Sequence, residues 1–345
     1  MKISQYNSNK ITVLNTVLIM MVLYIHSYYL EGNDHAVSYV VQRFMGTSAM
    51  MNVAVLLFFA MSGFLFFNDI VAVKDCLLKM QKRVRSLVVP YVIWNVIFVL
   101  WYLVLGTVPG VSSFINSDIL ANFATPWCGG YYLLIKPASF PLWFLRDLIV
   151  FVACSPLVYL ALRYLRWWAM PVAIVTTKFL PFVGFFYFVI GGCVATLSSL
   201  EDVERVLNKK TVVLCAFIYF GMCGYLAAQP IEANFEYNFG LTSVLGVTGL
   251  VTIWRGYDYI AKGRLLAETK FAKAVCGYSF FVFLFHEPVL NIIKKIPIRV
   301  LGESELVIII LFLINLFIMY LLAICIAKFL QNITPKVYNI LVGGR

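Results

Sequence analysis

The sequence predicts an all-α polytopic membrane protein with about ten transmembrane helices and both termini in the cytoplasm. Of its 345 residues, 62% are hydrophobic and 12% are charged, whereas soluble domains carry about 25% charged residues. Apolar runs of roughly 17–25 residues, each long enough to cross a hydrocarbon core of about 30 Å, recur along the chain. These runs do not alternate apolar with polar residues, so helices are favoured over a closed barrel.

The predicted spans follow the apolar runs in order, and together they form one domain over residues 1–345. They are 11–30, 50–67, 87–106, 141–162, 167–180, 182–197, 211–228, 240–254, 275–293 and 305–327. Lys178 and Pro181 interrupt the apolar sequence around the end of the fifth run, which is short enough to be re-entrant. Eight spans and a hairpin are therefore the alternative count.

The orientation follows from the basic residues, which collect in cytoplasmic loops of membrane proteins. Twenty of the 27 lysines and arginines fall in the termini or in loops that the ten spans place on the same side. Both termini are therefore predicted to be cytoplasmic. The net charge of +11 is explained by this topology and by attraction to anionic lipids, so it does not indicate nucleic acid binding.

The first apolar run is predicted to stay in the mature protein, because it is long and no small-residue cleavage site follows it. The eight cysteines are scattered singly, mostly inside spans, without metal-ligand spacing. They are expected to be packing residues. No metal site is predicted.

Away from the ends of the predicted spans, few charged or histidine side chains occur, and each needs an explanation because a charge at that depth costs on the order of 2.5–3.5 kcal/mol. They are His26 in span one, Arg146 and Asp147 in span four, and His286 with Glu287 in span nine. At a rise of 1.5 Å per residue, His26, Arg146 and Asp147 lie in the outer half of the membrane, and His286 lies at mid-depth or above. Their common depth predicts a polar cavity that opens outward.

Structural roles are the alternative for the same residues. An intramembrane histidine can serve as a hydrogen-bonding contact between helices, and Arg146 with Asp147 can belong to an inter-helix ion pair. Because adjacent side chains leave a helix about 100° apart, Arg146 and Asp147 are expected to need separate partners.

Five stretches resemble the acyltransferase-3 family of integral membrane acyltransferases, which modify surface polysaccharides. They are Asn15 through His26, 58–64 (FFAMSGF), 82–91 (KRVRSLVVPY), 141–147 (PLWFLRD) and 278–288 (YSFFVFLFHEP). The resemblance extends from about residue 10 to 330 in the order of the family. It implies a single membrane acyltransferase domain that transfers an acyl group from acyl-coenzyme A to a sugar hydroxyl. The chain departs from the family at Asn15, where an arginine is usual.

The chemistry of this transfer requires a base that removes the proton of the hydroxyl. Histidine suits that task because its pKa lies near neutrality, and both its depth and the resemblance make His26 the predicted general base. His35, in the first outer loop, is expected to be a solvated residue. Ser62, beside Gly63, is expected to line a tunnel, with helix packing through small residues as the alternative.

Acetyl-coenzyme A is the expected donor substrate, because an acetyl group fits a narrow tunnel, and a succinyl or longer acyl group is the alternative. Lys82, Arg83 and Arg85 are the predicted donor-binding residues, since guanidinium groups pair with phosphates in a bidentate manner. The resemblance favours Arg83 among them, and a topology signal alone is the alternative. The predicted cavity or tunnel residues are Ser62, Asn15, Arg146, Asp147 and His286.

Aromatic residues near the outer surface are predicted to bind the acceptor. Trp127 and Tyr131 belong to the long outer segment 106–140, and Trp143 opens span four. An interfacial aromatic belt explains the same residues equally well. The expected partners are a glycan or lipid-linked sugar and membrane lipids, and the expected location is a bacterial inner membrane.

Two other functions remain open on the sequence alone. A secondary transporter would use the intramembrane histidines and the Arg146–Asp147 pair as a proton relay or anion site. A membrane scaffold or sensor would need no base and would tolerate the loss of the imidazole of His26.

Overall fold

A computed structural model describes residues 3–29, 36–46, 52–107, 135–179, 182–228 and 239–344. The regular secondary structure within these ranges is helical and includes no strand, which confirms the predicted fold class.

The described ranges contain sixteen α-helices, several of which are parts of longer bent segments. They are α1 (Gln5–His26), α2 (Ala36–Gln42), α3 (Asn52–Phe67), α4 (Val73–Arg83), α5 (Val89–Gly106), α6 (Leu142–Ala153), α7 (Ser155–Leu165), α8 (Ala169–Phe179), α9 (Phe185–Leu197), α10 (Leu200–Val206), α11 (Lys209–Ala228), α12 (Phe239–Ala261), α13 (Lys270–Cys276), α14 (Ser279–Leu301), α15 (Glu305–Ile333) and α16 (Pro335–Leu341).

Several of these helices can cross a membrane by length and composition. Four segments in the described ranges are long and apolar enough: Gln5–His26, Val73–Gly106, Lys209–Ala228 and Glu305–Ile333. The number rises to six if each of two bent helix pairs is one span. A polytopic membrane protein is therefore confirmed, and the count of ten spans stays a prediction.

The fourth predicted span is broken in the structure. Helix α6 ends at Ala153, and the segment Ser155–Phe179 continues at an angle of 60°. Pro156 lies in the first turn of α7 and has no N–H to continue the hydrogen bonds of α6. The predicted span over 141–162 is therefore bent near its middle, because the proline starts a new helix.

Helices α3 and α9 pack closely because glycines face each other's backbone. A Cβ atom at Gly63 would collide with the carbonyl oxygen of Phe188, and one at Gly191 would collide with that of Ala60. The close approach expected at Gly63 is thus made by a neighbouring helix.

The N-terminal part of α1 is fixed by a buried ion pair network. The side chain of Lys10 is fully buried, and its Nζ lies 2.8 Å from Oε1 of Glu204 and 2.8 Å from Oδ2 of Asp258. The ammonium also lies 4.1 Å from the ring centre of Trp254. The hydroxyl of Tyr6 donates to Asp258 over 2.8 Å. This network joins α1 to α10 and α12 at the end where the chain begins.

Candidate active site

The C-terminal end of α1 meets a break in α14. Glu287 has φ −105° and ψ 130°, which are extended rather than helical angles. The next residue is Pro288, and a residue before proline is sterically restrained from the helical region. The break therefore follows from the local sequence, and it turns the side chains of 286 and 287 toward α1.

The imidazole of His286 is completely buried beside this break. Its Nδ1 lies 2.7 Å from the carbonyl oxygen of Phe283. Since a carbonyl only accepts, Nδ1 donates the hydrogen bond, and Nε2 of the neutral ring carries the lone pair. Nε2 is buried and has no hydrogen-bond partner within the described part of the chain. A buried acceptor of this kind is a position that a hydroxyl group of a ligand would satisfy.

His26 lies beside both this ring and the carboxylate of Glu287. Its Nδ1 is 3.7 Å from Oε2 of Glu287, and both side chains are largely buried, with 16% and 14% of their surfaces exposed. The ring centres of His26 and His286 are 5.2 Å apart. The ring of Phe140 contacts His26 edge-on at 5.8 Å. We refer to His26, His286 and Glu287 as the histidine cluster.

Polar groups from α14 hold the cluster in place. Asn291 donates a short hydrogen bond to Oε1 of Glu287, so Oε2 remains directed at His26. The ammonium of Lys294 donates to the backbone carbonyl of His26 over 2.8 Å and to that of Tyr28 over 3.3 Å. A cation is favourable there because the C-terminal carbonyls of a helix carry partial negative charge.

The histidine cluster also has the ligand types of a metal site. One ligand atom from each of its three residues lies within 4.8 Å of the others. Tetrahedral zinc, with bonds of about 2.0–2.1 Å, holds its ligand atoms roughly 3.4 Å apart, so the cluster would have to contract around an ion. Lys294 already places a cation on the carbonyl of His26. The arrangement therefore suits proton transfer better than metal binding.

Arg146 and Asp147 form a pair with each other. Nε and Nη2 of Arg146 lie 2.9 and 2.7 Å from Oδ1 of Asp147, and Nη1 donates to the carbonyl of Ile135. The expectation that these two residues need separate partners is wrong, because the long arginine side chain folds back along the helix. Neither residue makes a hydrogen bond or ion pair to the histidine cluster in the described ranges.

A cavity of about 310 Å³ extends from Arg83, at the end of α4, to Phe283, whose ring lies 6.1 Å from that of His286. Its lining contains Asn15, Ser62 and Arg83, which the sequence placed in a tunnel or at the donor site. Helix α1 lines the cavity from Thr12 to Ile19, a distance of about 10 Å along the axis at 1.5 Å per residue.

Other predicted residues lie elsewhere. Arg146, Asp147 and His286 are not part of the lining of this cavity. Lys82 is exposed, and the guanidinium of Arg85 lies against Gly344 near the C-terminus. Of the three predicted donor-binding residues, Arg83 alone lines the cavity. It ends α4, where an irregular wider turn over Val84–Val88 leads into α5.

The predicted acceptor residues are only partly described. Trp127, Tyr131 and His35 lie outside the described residues. The ring of Trp143 packs against Phe59 of α3 at 6.4 Å. Phe140 is the aromatic residue that contacts His26, and it is 68% exposed. Sequence reasoning did not assign it a role.

Glu287 is the most important site residue to which the sequence assigned no role. It was recognised as an intramembrane carboxylate, and the proline after it was the available signal for a break. Asn291 and Lys294 were missed as well, although the spacings of four and seven residues from Glu287 place all three side chains on one helical face. The packing of α14 against α1 places that face beside His26, and the sequence of α14 alone does not indicate this.

Comparison with known proteins identifies the family of the chain. The profile of the acyltransferase-3 family, described as an acyltransferase domain, matches residues 9–330. The chain belongs to this family, and it is a membrane acyltransferase. The succinoglycan biosynthesis protein ExoH of Rhizobium meliloti (strain 1021) is 24% identical over 312 residues, which are 82% of this chain and 78% of ExoH. No solved structure matches the chain.

Proposed function

We propose that this protein transfers an acetyl group from cytoplasmic acetyl-coenzyme A to a hydroxyl of a surface or lipid-linked glycan, with His26 as the general base. The observation that carries the proposal is the cavity with Arg83 in its lining, which leads from the basic end of the molecule toward the histidine cluster. We place the protein in a bacterial inner membrane, with both termini in the cytoplasm.

The donor binds at the basic end. Coenzyme A carries several phosphate charges, and a guanidinium group binds phosphate through two parallel hydrogen bonds. Arg83 takes these phosphates, and it replaces the cation that the family usually has at position 15. The pantetheine arm then occupies the cavity beside Asn15 and Ser62 and brings the thioester toward Ile19, about 10 Å below His26.

The reaction begins when His26 removes the proton of the sugar hydroxyl. Glu287 faces Nδ1, so it favours the tautomer with a proton on Nδ1 and leaves the lone pair of Nε2 for the substrate. The oxygen of the hydroxyl attacks the carbonyl carbon of the thioester, and the tetrahedral intermediate collapses with loss of the coenzyme A thiolate. The thiolate takes the proton from His26, and the products are a sugar ester and the free thiol.

The glycan acceptor is supported by the similarity to a succinoglycan biosynthesis protein. The break in α14 and the exposed ring of Phe140 lie at the end of α1 opposite the donor cavity. Donor and acceptor therefore approach His26 from opposite sides, as expected for an enzyme that uses a cytoplasmic donor and an acceptor in the outer half of the membrane.

The test uses the full chain in nanodiscs with radiolabelled acetyl-coenzyme A and glycan fractions from the host. We expect wild-type protein to label the glycan and His26→Gln to lose at least 100-fold in rate, since a positioned base contributes about 10²–10⁴-fold. The matched control is Thr176→Val, which removes an intramembrane polar group from α8. Undiminished labelling by His26→Gln would exclude this residue as the base. Absence of any acetyl transfer or hydrolysis by wild type would favour transport.

A further inference from the structure

The donor cavity ends at a layer of aromatic rings before it reaches the histidine cluster. Phe58, Phe144 and Phe283 belong to the lining of the cavity, whereas His26 and His286 do not. The ring of Phe144 lies 5.7 Å from that of Phe58 and 5.8 Å from that of Phe283. We refer to Phe58, Phe144 and Phe283 as the aromatic layer.

The aromatic layer lies between the donor cavity and the histidine cluster. The ring of Phe283 lies 6.1 Å from that of His286, which in turn lies 5.2 Å from His26. A thioester that enters past Arg83 therefore meets these rings before it meets the base. Since aromatic pairs at such distances are in van der Waals contact, an acyl group has to displace at least one ring to pass.

Phe283 is the member of the layer best placed to move. It lies four residues before Glu287, where α14 is broken, whereas Phe58 lies near the middle of α3. Its backbone carbonyl holds the imidazole of His286. The residue that closes the cavity is thus also the one that orients a ring of the histidine cluster.

We propose that Phe283 determines which acyl groups reach His26 and keeps water away from the thioester until the acceptor is bound. This inference rests on the proposed function. The intact layer admits an acetyl group and opposes longer chains, because each additional methylene must be accommodated among three packed rings. A single methylene in a closely fitted pocket changes the rate about 10–200-fold.

The experiment compares acetyl- and butyryl-coenzyme A as donors for the full chain in nanodiscs, with and without glycan. In Phe283→Ala we expect the ratio of kcat/KM for butyryl to that for acetyl to rise at least about 10-fold. We also expect hydrolysis of acetyl-coenzyme A without glycan to rise, because water then reaches the thioester carbonyl and forms acetate and the free thiol. Phe283→Leu should give an intermediate butyryl-to-acetyl ratio, and it replaces the alanine variant in the test if that variant does not fold.

The matched control is Phe281→Ala. It removes a buried phenyl group from the same helix, but Phe281 packs against Trp94 and Phe285 and is not part of the cavity lining. Its butyryl-to-acetyl ratio should stay at the wild-type value. If wild type transfers acetyl and Phe283→Ala shows the wild-type ratio and hydrolysis rate, the aromatic layer has no selective role and the proposed function stands. If wild type neither transfers nor hydrolyses any acyl group, both proposals fail.

Discussion

Replacing Glu287 with glutamine tests whether the carboxylate of Glu287 assists proton transfer by His26. The substitution keeps the shape of the side chain and removes its charge. The carboxylate lies 3.7 Å from Nδ1 of His26. For an effective dielectric constant of 20, a charge pair at that separation interacts by about 4.5 kcal/mol. The carboxylate can stabilise the imidazolium ion that forms during proton transfer by no more than this amount.

The expected loss is smaller than that limit. The ammonium of Lys294 donates to the backbone carbonyl of His26. Its positive charge repels the imidazolium and offsets part of the attraction between Glu287 and His26. We expect kcat for acetyl transfer to fall about 10²–10³-fold in Glu287→Gln, which is about 2.7–4.1 kcal/mol at 1.36 kcal/mol per tenfold. The KM for acetyl-coenzyme A should change little, because the donor binds at the far end of the cavity. If Glu287 had a purely structural role, its substitution would not lower kcat while leaving the KM for acetyl-coenzyme A unchanged.

The assay is single-turnover transfer from labelled acetyl-coenzyme A in nanodiscs, with binding of the donor measured separately. Glu287→Asp should recover part of the rate because it restores the charge at a greater distance. Glu303→Gln, which removes an exposed carboxylate from the turn after α14, is the charge-matched control. The reasoning would be refuted by a Glu287→Gln enzyme whose kcat stays within threefold of wild type.

Three further substitutions address the donor site and the packing. Arg83→Ala should raise the KM for acetyl-coenzyme A about 10–100-fold in steady-state kinetics, since hydrogen bonds to charged groups contribute about 1.5–3 kcal/mol. Lys10→Met should destabilise the protein by about 1.5–3 kcal/mol in thermal unfolding, because it removes the charge-assisted hydrogen bonds to Glu204 and Asp258, which then depend on Arg255 for a cationic partner. Gly63→Ala should destabilise it by about 1–3 kcal/mol, since the new methyl group collides with the carbonyl of Phe188.

Each of these variants has a control of the same chemical type. Arg163→Ala removes an exposed arginine at the end of α7, and a matching rise in KM would remove the donor role from Arg83. Lys74→Met removes an exposed lysine, so an equal loss of stability would mean that burial of Lys10 contributes nothing. Gly221→Ala introduces a methyl group into open space, and only Gly63→Ala should lower the melting temperature.

The amino-acid sequence alone determined the class of structure and the family. Long apolar runs indicate directly that the chain lies in a lipid bilayer, because a helix in a bilayer must be apolar over its whole length. The order of the motifs around Ser62, Arg83 and His286 indicated the acyltransferase-3 family, and the match over residues 9–330 confirms it. Residue type and depth, which are local properties of a single helix, pointed to His26 and Ser62, whereas Asn15 was singled out by its departure from the family pattern.

The tertiary structure decided which of these residues meet. Depth along a helix says nothing about rotation around its axis, so the sequence grouped Arg146 and Asp147 with the histidines. The packed helices instead bring Glu287 to His26 and leave the arginine and aspartate paired with each other. The break at Glu287 and the close contact of α3 with α9 set those rotations. The break itself follows from the local Glu287–Pro288 sequence. Its position beside His26, and the contact of α3 with α9, depend on residues far apart in the chain, which no local pattern of the sequence contains.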